Sequence, residues 1–137
     1  MIQSHFDLIE SGQIAKAMLD YDFPLAMQVN ETMIICPSAE AYAARLTDLL
    51  ATMQGGGNGL PKLRIVAIEL PRHGRFRVWI DWSVINADGT QTVANRSIFY
   101  CRMQQTKGPS QPLIEMLECT CEIENVASDV AARRYLA

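Results

Sequence analysis

From residue 62 onward, apolar and polar side chains alternate with a period of two, and the run is interrupted in its middle by an Asp88-Gly89 pair. Alternate residues of a strand point to opposite faces, so this half of the chain predicts an antiparallel sheet with one buried face. Strands are expected over residues 62–70, 75–87, 90–105 and 112–124. Asp-Gly suits a two-residue hairpin, whose central positions both need positive φ. With that turn Ala87 faces Thr90, and counting back sets Asp81 opposite Arg96 and Trp82 opposite Asn95. A longer loop would shift every pair.

The register sorts the hairpin into two faces. One carries Phe76, Val78, Ile80, Trp82 and Val84 with Val93, Asn95, Ser97, Phe99 and Cys101, and it is the expected core. The other carries Trp79, Asp81 and Ile85 with Arg96, Ile98 and Tyr100. In the last strand the more apolar parity is Leu113, Leu117, Cys119 and Cys121, which takes Glu115 to the core side.

The first half reads as helical. Ile2, Phe6 and Ile9, then Ile14, Ala17, Met18 and Tyr21, recur at helical spacing on either side of Ser11-Gly12, which predicts two short helices joined by a tight turn. Asp22-Phe23-Pro24 should end the second. Residues 25–29 and 32–36 flank Asn30-Glu31 as a short hairpin. Ser38 is placed to cap a third helix whose buried stripe is Tyr42, Leu46, Leu49, Leu50 and Met53. The glycine-rich run 55–59 follows a helix and precedes a strand, so it reads as a connector and not as a phosphate loop. The tail, residues 128–137, is weakly helical.

At 137 residues and 49% hydrophobic content, the chain predicts one domain, residues 1–137, around one core. A net charge of -3 with no basic cluster beyond Arg72, Arg75 and Arg77 argues against nucleic acid as a partner. The longest strongly apolar stretch, residues 33–36, is far short of the ~20 residues of a membrane span, and the first ten residues lack signal-peptide character. The expected location is cytoplasmic, with the four cysteines as free thiols. No CxxC, HxH or HxxxH pair is present, so neither a metal nor a cofactor is expected.

Helix, helix, short hairpin, capped helix and long curling sheet together resemble the nuclear transport factor 2-like (cystatin-like) superfamily, in its SnoaL-like polyketide-cyclase type. The resemblance rests on the paired-helix start at residues 8–21, the third helix at 38–50 and the central hairpin at 79–100, and it covers the chain as a pattern, without a diagnostic catalytic signature. It implies an α+β cone in which three N-terminal helices pack on a curved antiparallel sheet. It also implies a ligand pocket at the cone's mouth and a homodimer made by the outer sheet face. Isomerases, dehydratases and cyclases share the fold, which therefore indicates where a site lies and not what it does.

On that geometry Tyr21, Trp82, Asn95 and Ser97 are the expected pocket residues for a small apolar ligand, with Glu115 and Asp22 as candidate acid-base groups. Glu115 is either desolvated, with a raised pKa, or paired with an arginine near a strand end. Tyr21 could donate a hydrogen bond to a developing enolate oxygen, or simply end its apolar stripe. His5 either faces the pocket or is solvated on the first helix, and His73 lies in the turn at residues 71–74. Trp79, Asp81, Arg96, Ile98 and Tyr100 form an outer face too apolar for bare solvent, which predicts a homodimer contact with Asp81 and Arg96 as a cross-strand ion pair. The two functional readings are a small-molecule-binding protein with isomerase, cyclase or dehydratase chemistry, and a non-catalytic accessory subunit acting through its outer face.

Overall fold

The computed structural model describes residues 2–54, 60–104 and 112–121. The elements run α1 (Ile2–Glu10), α2 (Ile14–Ala17), a 3-10 turn (Met18–Asp20), β1 (Tyr21–Val29), β2 (Thr32–Cys36), α3 (Ala39–Gln54), β3 (Leu60–Ile68), β4 (Arg75–Ile85), β5 (Gln91–Met103) and β6 (Pro112–Cys121). The glycine-rich run 55–59 and the tail 128–137 lie outside the described residues, as do the expected strand ends beyond 104 and 121.

Helix α1 buries Ile2, His5, Phe6 and Ile9. It closes where Gly12, at φ 79°, lets the chain turn back, with the Gly12 N–H donating to Ile9 O and the Gln13 N–H to Leu8 O. The Glu10 carboxylate accepts the Leu63 N–H at 2.6 Å and ties the helix to β3. The second helix is shorter than expected. The helical path ends at Asp20, and Tyr21 and Asp22 open β1 instead of closing α2. Pro24 is accommodated inside the strand because the β1 to β6 pairing is irregular between Tyr21 and Ala26, where no ladder N–H is required of it.

The β1–β2 hairpin forms as expected, with Asn30 at φ 53° in its turn. Ser38 caps α3 by accepting the Ala41 N–H at 3.2 Å, and Tyr42, Leu46, Leu49 and Leu50 are buried beneath it.

The six described strands form one sheet in the order β2-β1-β6-β5-β4-β3. The expected antiparallel character holds for every pair except β1 with β6, which is parallel and brings the early hairpin against the last strand. Asp81 faces Arg96 and Trp82 faces Asn95, as counted from the sequence. The turn itself differs. Ile85 pairs with Gln91, the Asn86 N–H donates to Thr90 O at 2.8 Å, and the Asp88 carboxylate accepts both the N–H and the hydroxyl of Thr90. That local closure lengthens the loop and moves the nearby register by one residue. Ala94, the extra residue between Val93 (facing Ser83) and Asn95 (facing Trp82), moves it back.

Two more extra residues bend the sheet: Val66 in β3 and Glu115 in β6. The second changes the expected faces. Because Glu115 is unpaired in the ladder, Ile114 and Leu117 are both fully buried although three apart, while Leu113 and Glu115 turn away from the core. The described core is centred on the apolar side chains of Phe6, Phe99, Leu25, Leu46, Ile80 and Val78. Ser83, which alternates with Asp81 and Ile85 on the face expected to lie outside, is buried and donates its hydroxyl to Lys62 O at 3.4 Å.

Candidate functional site

The helices and β1 bring four polar side chains into one line inside the apolar core. His5 is 2% exposed on α1. Its Nδ1 lies 2.9 Å from Asp20 Oδ2, its Nε2 lies 2.9 Å from the Tyr21 hydroxyl, and that hydroxyl is 3.5 Å from the hydroxyl of Tyr42 on α3. In the neutral tautomer that satisfies both neighbours, Nδ1–H donates to the Asp20 carboxylate and Nε2 accepts the Tyr21 O–H. The Tyr42 O–H then donates to the Tyr21 oxygen. Asp20, at 26% exposure, is the end that reaches water.

Burial pushes the Tyr21 phenol far above its ordinary range, and the hydrogen bond received from Tyr42 offsets a part of that push. Tyr42 is raised well above its ordinary value, first by burial and then by the neighbouring Tyr21. Both phenols are therefore proton donors through the whole neutral range. Their rings meet edge to face at 4.8 Å, and the His5 ring packs at 5.0 Å on Tyr21 and 6.3 Å from Phe99, which holds the four groups in register.

A second polar group lies further along the sheet. Asn95 and Ser97 are buried on β5, and the Ser97 hydroxyl lies 3.2 Å from Asn95 Oδ1 and 3.5 Å from Cys119 Sγ. Trp82, opposite Asn95, is 3% exposed, and its indole Nε1 is buried with no acceptor within hydrogen-bond reach among the described residues. Cys119 faces Ser97 across the β5–β6 ladder, which is how its thiol comes to the Ser97 hydroxyl. The expected pocket residues Tyr21, Trp82, Asn95 and Ser97 are thus all buried, in two clusters.

The two carboxylates singled out from the sequence sit elsewhere, around Arg102. Its guanidinium donates to Asp22 Oδ2 at 3.1 Å and to Glu115 Oε1 at 2.9 Å, and Arg75 donates to Glu115 Oε2 at 3.2 Å. Desolvation pushes the Glu115 pKa up, but the hydrogen bonds and charges of Arg75 and Arg102 outweigh it and hold the carboxyl below its ordinary value. Of its two expected environments, the arginine pairing is the one found. The reason is the ladder irregularity, which turns Glu115 out of the apolar parity.

His5, Asp20 and Tyr42 complete the interior line, and only the first of them stands out in the sequence as a candidate site residue. Its position three residues after Ile2 and four before Ile9 places it on the buried stripe, which is the signal that finds it. Asp20 gives no such signal.

On the opposite face, Trp79, Ile98, Arg64, Val66, Arg96 and Glu118 line an open groove of about 470 Å³. Asp81 binds Arg96 at 3.3 Å as expected, and also Arg64 at 3.6 Å. The Tyr100 hydroxyl donates to Glu118, and Arg77 stacks on Trp79 at 4.9 Å. Cys36, Cys101 and Cys119 are free thiols. Among the described residues no group of three His, Cys, Asp or Glu side chains is arranged to hold a metal, and no helix is long and apolar enough to cross a membrane.

No protein-family model and no curated protein sequence matches the chain. Solved structures do. Aln2 from a Streptomyces species superposes with a TM-score of 0.66 at 9% identity, over 96% of this chain and 89% of that one. A ketosteroid isomerase-like protein from Erwinia carotovora atroseptica gives 0.58 at 11% identity, over 87% and 88%. An NTF-2 like protein of unknown function from Shewanella oneidensis gives 0.59 at 12% identity, over 87% and 92%. Three helices on one face of a bent, mostly antiparallel sheet, shared with these structures over most of their length, give this chain the nuclear transport factor 2-like fold that its sequence resembles.

Proposed function

We propose that the chain binds a small, largely apolar carbonyl compound inside the helix-sheet sandwich and assists proton transfer to its oxygen, as an isomerase, cyclase or dehydratase would. The observation that carries this reading is the buried line Asp20, His5, Tyr21 and Tyr42. A core gains little from such a line, since each buried polar group costs desolvation that its hydrogen bond only about repays. A general acid needs what the line supplies: a proton donor in a dry site and a route for proton replacement. When a proton enters at His5, Nε2–H donates to the Tyr21 oxygen and the Tyr21 O–H is released toward Tyr42 and the interior. Tyr42 then accepts the Tyr21 O–H and turns its own proton from Tyr21 to the ligand oxygen. Asp22 and Glu115, bound to Arg102, have no part in this proposal.

The test uses 2-acetonaphthone, a fused-ring ketone, and 2-ethylnaphthalene, its counterpart without the oxygen. The ketone is expected to bind more tightly, with Tyr42→Phe removing the difference. Equal affinities in the unaltered chain would refute the reading. Exchange of the acetyl protons in D2O, accelerated by the protein and slowed by His5→Phe, supports catalysis; no acceleration leaves a binding protein.

We propose further that a second copy covers the outer sheet face, in a cytoplasmic or other reducing compartment suited to the free thiols. Trp79, Ile98 and the exposed Val66 and Ile68 supply the apolar area. The Arg64, Asp81 and Arg96 group is net positive and Glu118 negative, so the face complements itself under a two-fold axis. A monomer by light scattering would favour a different partner protein and the accessory-subunit reading.

A further inference from the structure

The orphaned indole of Trp82 is not accounted for by the proton line. A buried N–H without an acceptor has lost its water and gained nothing in return, and structures keep few of them. Trp82 is locked on the core face of β4, directly across the ladder from Asn95, whose side-chain amide adds two further donors at the same level. The Asn95 oxygen is already taken by Ser97. The buried polar group left without a partner at this end of the interior is therefore a donor. The buried polar side chains among the described residues are His5, Ser83, Asn95 and Ser97, with no lysine or arginine, so a carboxylate or phosphate would have no charge to meet there.

We propose that Trp82 Nε1–H, seconded by Asn95, is a second recognition point that takes an uncharged acceptor, a carbonyl or quinone oxygen, at the far end of a ligand whose near end meets the Tyr21 and Tyr42 hydroxyls. This rests on the reading of the phenol site given above. The spacing sets the ligand's length. Asn95 stands four residues along β5 from Phe99, which packs near His5, and four residues of strand span about 13 Å. Ser97, two residues from each, lies on the same buried face between Asn95 and Phe99. A fused bicyclic or longer ligand with an oxygen at each end matches that span, and a single-ring ligand does not.

The experiment compares 2-acetonaphthone with 2,6-diacetylnaphthalene, which carries a second carbonyl at the opposite end. Binding is followed through the indole N–H resonances of 15N-labelled protein, with Trp82 assigned by its disappearance in Trp82→Phe. The diketone is expected to bind about fivefold more tightly than the monoketone, to move the Trp82 resonance downfield, and to lose this advantage in Trp82→Phe. Equal affinities, or a Trp82 resonance unmoved by bound diketone, would overturn the second recognition point while the phenol site stands. Failure of both ketones to bind would overturn the phenol site itself, and the second point with it. Should Trp82→Phe fold poorly, the resonance in the unaltered chain decides, and a resonance already downfield without ligand would assign the donor to a buried water and refute the proposal.

Discussion

Replacing His5 by Phe keeps a flat ring among Phe6, Tyr21 and Phe99 and removes both nitrogens, so it isolates the polar contribution of the interior line. The Tyr21 hydroxyl then keeps only the 3.5 Å approach to Tyr42, a loss of about 1–3 kcal/mol for a buried donor. Asp20, about a quarter exposed, recovers water and loses about 1 kcal/mol. The sum is on the order of 3 kcal/mol, which at a urea dependence of about 2 kcal/mol per molar lowers the unfolding midpoint by about 1.5 M. Tyr21→Phe alone should cost about 1–2 kcal/mol by stranding His5 Nε2. The double variant should cost less than the two added together, by about 1–2 kcal/mol, because the second change removes a group the first had already stranded. Urea melts of the four proteins of the cycle, with unchanged slopes, measure this. Additivity within about 0.3 kcal/mol would mean that the His5 to Tyr21 contact contributes nothing, and the proton line would lose its physical basis.

Three other outcomes follow from the geometry. Since burial raises Tyr21 and Tyr42, their favourable contribution is full below the unfolded phenol value of about 10 and is lost only above it; both should ionise together with alkaline unfolding. Absorbance at 295 nm rising smoothly for every tyrosine near that value, with the fold intact, would contradict this. Glu115, held below its ordinary value, stabilises the fold above the unfolded carboxyl value and loses that contribution as pH falls through the lower folded one. Glu115→Gln should therefore be about 1 kcal/mol less stable at neutral pH and equal to the parent in strong acid, as read by thermal melts; a pH-independent difference would refute the ion-pair account. On the outer face, Ile98→Glu should halve the mass seen by light scattering without lowering the melting temperature of the subunit by more than a few degrees, and an unchanged mass would move the subunit contact elsewhere.

The parts of this molecule legible from its residues are those set by short-range chemistry. Ser38 before a clean apolar stripe predicts α3, and Gly12 the end of α1. The hairpin register at Asp81 and Trp82 counts correctly from a turn that is wrong by one residue, because Ala94 restores what the longer loop displaces. The extra residues in the strands have no composition of their own: Val66, Ala94 and Glu115 look like ordinary members of an alternating run, and their places are decided by sheet curvature. For that reason the alternation assigns Glu115 to the wrong face. Asp20 and Tyr42 are far apart in sequence and look like a helix end and a core stripe; tertiary packing brings both to His5 and Tyr21.

The parallel pairing of β1 with β6 has a consequence for how the chain reaches its native state. Until the strand at Pro112–Cys121 is in place, the β1–β2 hairpin and the β3–β5 meander share no ladder, because β6 is the seam between them. On a ribosome, most of the described sheet would leave the exit tunnel as two unjoined pieces with their inner edges bare. The decisive contacts have high sequence separation, so folding should be slow for the chain's size and nearly all-or-none with respect to truncation within β6.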